Sequence, residues 1–470
     1  MVKKGYKQTE VGLIPEKWAV STIGAIADVK TGPFGSALHA EDYVQDGTPI
    51  ITVEHLGETG LTHQNLPKVS EKDRHRLFAY SMQEGDIVFS RVGSVDRNAY
   101  VTAIENGWLF SGRILRLRAK NEKLSTQYLG YYFKSEDTKE RIRNVAVGQT
   151  MPSLNTKLMN AFKVVLPTIE EQKDIAALLS NMDTLISALE KQISKKKAIK
   201  QGAMQELLTG KRRLPGFSGE WRYFNLLKNS KVKARIGWQG LKKSEYLDSG
   251  YALLVTGTDF DDGRVLWDGC HYVTRSRYEQ DRNIQLQNND ILITKDGSLG
   301  KTALVQGLTK PATLNSGIFV IRPLQDAYDP VFVYQILSSF VFKNFLDRLS
   351  AGSTIIHLYQ KDVGKFEFLL PPTIAEQKAI AEVLSVMDAD IAALENKLTK
   401  YRQIKQGMMQ QLLTGKIRLK NDVEDSVQAE QANAAKKIPA RTAHNHQFDD
   451  AVSIAAIVDA FYSDKYPLGR

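Results

Sequence analysis

The residues KQGAMQELLTGK, at positions 200 to 211, return later in the chain as KQGMMQQLLTGK, at positions 405 to 416. The repetition extends upstream, because VVLPTIEEQKDIAALLSNMDTLISALEKQI at 164 to 193 matches FLLPPTIAEQKAIAEVLSVMDADIAALENKL at 368 to 398. A repeat of this length indicates that one structural element occurs twice in the same chain. The two copies therefore decide how the rest of the fold is organised.

Each copy is predicted to form one long helix. Thr168 with Glu171, and Thr373 with Glu376, have the spacing of a capping box, in which a hydroxyl and a carboxylate satisfy free backbone N–H groups. Gly210 and the glycine at 415 stand where a left-handed residue would end each helix. About 40 residues at a rise of 1.5 Å per residue would give a helix of about 60 Å.

An apolar stripe with steps of three and four residues runs along each predicted helix, which is typical of a coiled coil. Because an isolated helix would expose this stripe to water, we expect the two copies to pack as an antiparallel coiled coil. The alternative of two unrelated helices in separate cores is disfavoured by their length. The predicted seam consists of Ile175, Leu179, Met182, Ile186, Leu189, Ile193, Ile380, Leu384, Met387, Ile391, Leu394 and Leu398.

The segments before the two helices are repeated more loosely. GDIVFSRVGSVDRNAYV at 85 to 101 parallels NDILITKDGSLGKTALV at 289 to 305. Alternating apolar residues bounded by Gly, Asn and Asp predict β-strands, and amphipathic stretches at 124 to 143 and 329 to 348 predict helices. The predicted fold class is α/β (α+β), with two mixed α/β globules separated by two long helices.

This reading divides the chain into seven parts. They are an N-terminal arm (1–16), a first globule (17–167), a first long helix (168–213), a second globule (214–372), a second long helix (373–419), a flexible linker (420–447) and a short appended helical segment of unknown role (448–470).

Composition limits the class of protein. A chain of 470 residues is too long for one ordinary core, which agrees with two globules. The single cysteine, Cys270, excludes an intramolecular disulfide framework, and no segment approaches the ~20 apolar residues of a membrane span. We therefore expect a cytoplasmic protein. Its formal charge of +10 is compatible with a polyanionic partner such as nucleic acid.

The sequence lacks the common catalytic and cofactor motifs. It contains no GxxxxGK[ST] loop, no GxGxxG after a strand and no zinc-type Cys/His cluster. Glu171-Gln172-Lys173 and its repeat at 376 to 378 resemble the Glu-x-Lys of metal-dependent nucleases, but no acidic partner precedes them. We expect no catalytic residues and no metal ligands in this chain.

Two polar turns occupy matched positions in the globules. RVGSVDRN at 91 to 98 and KDGSLGKT at 295 to 302 each lie between two predicted strands, and each can project two cations and a hydroxyl. Arginine can contact guanine edges and lysine can contact phosphate, although the same residues could also make solvated tight turns. The candidates for DNA contact are Arg91, Ser94, Arg97, Lys295, Ser298 and Lys301, with Gln149, Thr150, Ser353, Thr354 and His357 as a second set on the loops before the helices.

The order of these segments resembles the specificity subunit of a type I restriction-modification system. The resemblance covers about residues 10 to 419 and rests on a globule, LPTIEEQK and LLTGK, followed by a second globule, LPPTIAEQK and LLTGK. It implies that each globule is a target-recognition domain for one half of a split, asymmetric DNA sequence. It also implies that the helices form a spacer that docks two methyltransferase subunits.

Under this resemblance, the chain binds no cofactor directly. S-adenosylmethionine belongs to the methyltransferase subunits, and ATP and magnesium belong to separate restriction or motor subunits. Two other classes stay open. A two-headed DNA-binding regulator would need no methyltransferase partner, and a self-sufficient methyltransferase would need an Asn/Asp-Pro-Pro-aromatic motif, which PPTI at 371 to 374 does not supply.

Overall fold

A computed structural model describes residues 4–33, 38–148, 151–350 and 357–419 of the chain. The predicted linker and appended segment lie outside the described residues, as do the candidates Gln149, Thr150, Ser353 and Thr354. The described chain divides into two units, one formed by residues 4–190 and 396–419 and the other by residues 191–395. Each unit is described by itself, and the predicted domain boundaries stay a prediction.

The first half of the chain contains twelve strands and six helices, numbered in chain order among the described residues. They are β1 (Tyr6–Thr9), β2 (Gly12–Pro15), β3 (Ala19–Thr22), α1 (Ile23–Ile26), β4 (Ala27–Thr31), β5 (Tyr43–Val44), β6 (Thr48–Ile51), β7 (Lys68–Val69), α2 (Glu71–Arg76), β8 (Ile87–Ser90), β9 (Asn98–Tyr100), β10 (Leu109–Phe110), β11 (Ile114–Ala119), α3 (Thr126–Lys134), α4 (Glu136–Val145), α5 (Thr156–Ala161), β12 (Lys163–Leu166) and α6 (Ile169–Leu207).

The second half follows the same plan. Its elements are β13 (Arg222–Asn225), β14 (Ser230–Lys233), β15 (Ala252–Val255), β16 (Phe260–Asp261), β17 (Arg264–Val265), β18 (His271–Val273), α7 (Arg275–Glu279), β19 (Ile291–Thr294), β20 (Thr302–Leu304), β21 (Ala312–Leu314), β22 (Ile318–Pro323), α8 (Pro330–Leu337), α9 (Phe340–Ser350), α10 (Gln360–Val363), β23 (Glu367–Leu370) and α11 (Ile374–Leu412).

Sheet topology shows how closely the two globules agree. The first globule contains a sheet with strand order β4-β11-β8-β9, and the second contains the matching order β14-β22-β19-β20 within a longer sheet. A parallel pair, β6 with β10, has its counterpart in β15 with β21. Strand β12 pairs with β3 before the first long helix, and β23 pairs with β13 before the second. The prediction of two mixed α/β globules is therefore confirmed.

The stretches at 124 to 143 and 329 to 348 are helical, as predicted, and each contains two helices, α3 with α4 and α8 with α9. In the first globule, Ser135 adopts an extended backbone and its hydroxyl accepts a hydrogen bond from the Thr138 N–H, at 3.4 Å, so that α4 begins there. In the second, the Ser339 hydroxyl accepts from the Val341 N–H at 3.1 Å. Serine competes for backbone hydrogen bonds and so favours a helix start over a helix interior.

The two long helices, α6 and α11, have 39 residues each, which corresponds to about 58 Å at 1.5 Å per residue. Within the first unit, Ile175 and Leu179 share a core with Leu412 and Leu413. Within the second unit, residues from the end of α6 share a core with residues from the start of α11, so the helices run antiparallel. Nine of the twelve predicted seam residues are buried, and Met182, Ile186 and Leu394 are half-buried.

Ion pairs at matched positions fix the register of the helices in each unit. In the first unit, Lys405 binds Asp183, and in the second unit Lys200 binds Asp388. The globules are attached to the same carboxylates, because the Tyr131 hydroxyl donates to Asp183 Oδ2 at 2.7 Å and the amide Nε2 of residue 335 (Gln) donates to Asp388 Oδ2 at 3.3 Å. Each globule is thus held against the helix that follows it.

The predicted capping boxes were only half correct. The Thr168 hydroxyl accepts from the Glu171 N–H at 3.4 Å, but the Glu171 carboxylate accepts from Arg418 at 2.5 and 2.8 Å and from Trp18 Nε1 at 2.9 Å. A nearly buried carboxylate is stabilised best by a partner of opposite charge, and a neutral backbone N–H is a weaker hydrogen-bond donor than an arginine.

The second unit repeats this arrangement. Glu376 accepts from Arg213 at 2.5 and 2.8 Å and from Trp221 Nε1 at 3.4 Å. Each arginine lies two residues after an LLTGK motif at the end of one long helix, and it binds the glutamate at the start of the other long helix.

Candidate nucleic-acid interface

The two polar turns are hairpin connections at the end of buried strands. One joins β8 to β9 and the other joins β19 to β20, and every residue of β8 and β19 is buried. Gly93 and Gly297 have φ of +79° and +70°, a conformation that favours glycine. Matched backbone bonds close the two turns, from Ser90 N to Arg97 O and from the N–H of residue 294 (Thr) to the Lys301 carbonyl, each at 2.9 Å.

The predicted DNA-contact residues of these turns differ in exposure. Ser94 and Ser298 are exposed. Arg91 is half-buried and its Nη1 donates to the Gly112 carbonyl at 3.4 Å, and Lys295 is half-buried with its Nζ 5.6 Å from the centroid of the Phe319 ring.

His357 lies beside the second turn. It is exposed, with its Nδ1 2.5 Å from Asp296 Oδ1, and the Leu358 N–H donates to the Lys295 carbonyl at 2.9 Å. The structure therefore brings His357 to the second turn.

Arg97 and Lys301 have a structural use that the sequence did not reveal. Arg97 donates through its guanidinium to the Leu56 carbonyl, with Nε at 3.0 Å, and the Lys301 ammonium donates to the Phe260 carbonyl. The two carbonyls occupy matched positions, directly after the short 3₁₀ helices Val53–His55 and Gly257–Asp259. These two cations, which are both exposed, therefore connect the turn to the segment that follows the 3₁₀ helix.

A polar cleft opens beside the turn of the second globule, with a volume of about 480 Å³. The turn and the 3₁₀ helix form two of its walls. Its side chains include Tyr246, Thr258, His271, Asp296, Ser298 and Asn315. Four of these, at 246, 258, 271 and 315, were missed because the search selected the turns that match between the globules. Two of them, at 258 and 315, are exposed or half-buried polar residues that follow buried strands, and this was the available signal; His271 is the exposed first residue of β18.

The described part of the chain offers little for catalysis. It contains no group of three His, Cys, Asp or Glu side chains that could hold a metal ion. Burial, reinforced by Asp259, raises the pKa of the Cys270 thiol to about 12, so this cysteine is protonated near neutral pH and is a poor nucleophile. Among the described helices, none combines the length and the apolar character needed to cross a bilayer.

The two globules share a backbone arrangement but expose different side chains, and each packs on paired antiparallel helices. This arrangement defines a protein with two related recognition surfaces. The sequence pattern of the family described as "Type I restriction modification DNA specificity domain" matches residues 15–200 and 240–406. The chain therefore belongs to this family. As a specificity subunit it recognises a DNA target and is not itself an enzyme, so neither the regulator nor the self-sufficient methyltransferase is favoured.

Individual relatives agree with the family. The chain is 28% identical to the "Putative type I restriction enzyme MjaX specificity subunit" of Methanocaldococcus jannaschii, over 89% of this chain and 98% of that protein. It is 25% identical to the type I restriction enzyme MjaVIII specificity subunit of the same organism, over 89% and 97%. The crystal structure of a type I restriction-modification system S subunit from M. genitalium has a similar fold, with a TM-score of 0.55, 16% identity and coverage of 84% and 96%.

Proposed function

We propose that this chain selects the target of a type I restriction-modification complex, and that each globule reads one half of a bipartite, asymmetric DNA sequence. The observation that carries the proposal is the duplicated turn, which has the same backbone bonds in both globules but different side chains. An identical frame allows both globules to approach DNA in the same way. Different side chains allow the two half-sites to differ.

The turns and the loops beside them supply the proposed DNA contacts. Arg91 and Lys295 are proposed to contact phosphates or base edges, and Ser94 and Ser298 offer exposed hydroxyls. Arg97 and Lys301 are proposed to hold the turns in shape. The second set of candidates, Gln149, Thr150, Ser353, Thr354 and His357, is proposed to complete the contacts, and His357 is its one member among the described residues.

The helices α6 and α11 are proposed to set the distance between the half-sites and to dock two methyltransferase subunits. Their register is fixed by matched ion pairs, as a spacer of constant length requires. In the first unit, α6 also leaves Leu178 and Leu185, one heptad apart, partly exposed, as an apolar docking face would.

The chemistry is assigned to partner subunits in the cytoplasm. S-adenosylmethionine would bind to the methyltransferase subunits, and ATP and magnesium would bind to restriction or motor subunits. This chain would bind none of them directly.

Co-expression with the methyltransferase of the same system tests the proposal. We expect two methyltransferase copies to co-purify with each chain, and methylome sequencing of the cells to show a split motif with a fixed gap. A chain that binds its target with full affinity and specificity alone, and that retains no methyltransferase, would instead be a two-headed regulator.

A further inference from the structure

Several backbone bonds around the two turns are matched between the globules. The Ser111 N–H donates to the Ile51 carbonyl at 2.9 Å, and in the second globule the Asn315 N–H donates to the carbonyl of residue 255 (Val), also at 2.9 Å. The Arg91 and Lys295 N–H groups donate to the carbonyls of residues 113 and 317, each at 2.8 Å. Side chains at matched positions are therefore presented from equivalent points of the backbone.

Four positions on this common frame carry side chains of different hydrogen-bonding type. The changes from the first to the second globule are Glu54 to Thr258, Val92 to Asp296, Ser111 to Asn315 and Ser153 to His357. Folding does not require these differences, because the backbone bonds are the same. The differences are instead what two surfaces need if they share a frame and read different sequences.

In the second globule these positions gather at the 480 Å³ cleft. Thr258, Asp296 and Asn315 line it, and His357 contacts Asp296 from the neighbouring loop. The Asn315 side-chain amide makes no hydrogen bond to the described residues, so its donor and acceptor are available to a ligand. His271 is exposed on the same cleft, with its ring centroid 5.5 Å from that of Tyr246.

Thr256, which also lines the cleft, is held by bonds within the 3₁₀ helix. The Thr256 hydroxyl and N–H both donate to Asp259 Oδ2, at 2.9 and 2.7 Å. The same positions of the first globule carry Thr52 and His55, where the Thr52 N–H lies 3.0 Å from His55 Nδ1. This bond is kept although the residue types change, which marks it as part of the frame.

We propose that this cleft is the base-reading site of the second globule, and that Thr258, Asp296 and Asn315 determine which bases its half-site contains. The proposal rests on the proposed function and adds the reading residues to it. An amide can bind the adenine edge through two hydrogen bonds, a carboxylate can accept from the cytosine amino group, and a hydroxyl can bind either type of edge. Lys295, at the adjacent turn, would add a phosphate contact.

Three variants of the full chain, assembled with its methyltransferase, test the proposal. Asn315→Ser and Asp296→Val introduce the residues that the first globule carries at the same positions. Thr258→Val keeps the side-chain shape and removes an exposed hydroxyl, together with its 2.7 Å bond to the Thr256 hydroxyl. Gln287→Ser is the matched control, since it changes an exposed residue at the opposite end of β19. Each complex methylates two DNA libraries, in which one half of the target is fixed and the other is randomised.

We expect the preference for one or two bases of one half-site to fall by about tenfold or more in each cleft variant. The other half-site and the control should match the parent, and the melting temperature and methyltransferase binding should be unchanged. Base preferences that stay within about twofold of the parent in all three cleft variants would overturn the cleft as the reading site. If the parent complex itself shows no split target, the proposed function fails, and the inference fails with it.

Discussion

The buried glutamate at the start of α11 allows a quantitative test of the fold. The Glu376 side chain is 1% exposed and Arg213, which binds it through two nitrogens, is 26% exposed. Glu376→Gln would leave the arginine cation without its anion. Breaking a buried pair costs about 3–5 kcal/mol, and partial hydration of Arg213 reduces this to about 3 kcal/mol. For a unit of this size, the melting temperature should fall by about 6–12 °C.

Double-mutant cycles separate the ion pair from the capping box that the sequence predicted. Thermal unfolding of the full chain is followed by circular dichroism for Glu376→Gln combined with Arg213→Met and, separately, with Thr373→Ala. We expect a coupling free energy above about 1 kcal/mol with Arg213, because the two charges act together. With Thr373, whose hydroxyl accepts from the Glu376 N–H and does not contact its carboxylate, the effects should add.

The first unit provides the matched control. Glu171→Gln removes the same charge, but Arg418 is 35% exposed, and Trp18 donates to Glu171 at 2.9 Å whereas Trp221 donates to Glu376 at 3.4 Å. A smaller loss of stability is therefore expected. The reasoning is refuted if Glu376→Gln lowers the melting temperature by less than about 2 °C, or if its coupling to Thr373 exceeds its coupling to Arg213.

Three further predictions address the helix end, the DNA contacts and the independence of the globules. Gly415→Ala should lower the free energy of unfolding by more than about 1 kcal/mol, because φ is +67° and a Cβ would lie 2.6 Å from the Pro15 ring. As a control, Gly407→Ala within α11 places a Cβ with nothing within 4 Å and should raise the free energy of unfolding by roughly 0.5–1 kcal/mol. Melting curves of the two variants that shift equally would contradict this. Lys295→Ala should weaken DNA binding across sequences and reduce the slope of log affinity against log salt by about one, and a salt titration identical to the parent would place this lysine away from phosphate. Replacement of residues 19–165 by the matching globule of a relative should change only one half of the methylated motif, and a change in both halves would count against separate reading.

The long helices could be predicted from sequence because their signals are local. The stripe of apolar residues and the glycines at 210 and 415, which have φ of +70° and +67°, depend on neighbours within one or two turns. The partners of Glu171 and Glu376 could not be predicted in the same way. The spacing to a threonine three residues earlier indicated a local cap, while the arginines that bind the carboxylates are far away in the sequence.

The candidate interface could likewise be predicted from sequence only where its signals were local or repeated. The turns were visible because they match between the halves, and glycine at 93 and 297 marks their shape. The use of Arg97 and Lys301 was not visible, since their acceptors are carbonyls on a distant 3₁₀ helix. A search for matching residues finds the frame that both globules share. Residues that differ between the globules, such as Asn315, require the structure to place them on that frame.

The arginine that follows each LLTGK motif binds a glutamate of the other long helix: Arg213 binds Glu376 in α11, and Arg418 binds Glu171 in α6. Both partners of each pair lie outside the predicted globules, and the tryptophans at 18 and 221 lie near the N-terminal ends of the globules. Recombination that exchanges residues 19–167 or 222–372 as a block would replace almost a whole globule and leave every residue of these contacts in place. The helix pair can then accept a foreign globule without compensating mutations. New target specificities could thus arise by recombination in one step, with assembly of the complex inherited unchanged.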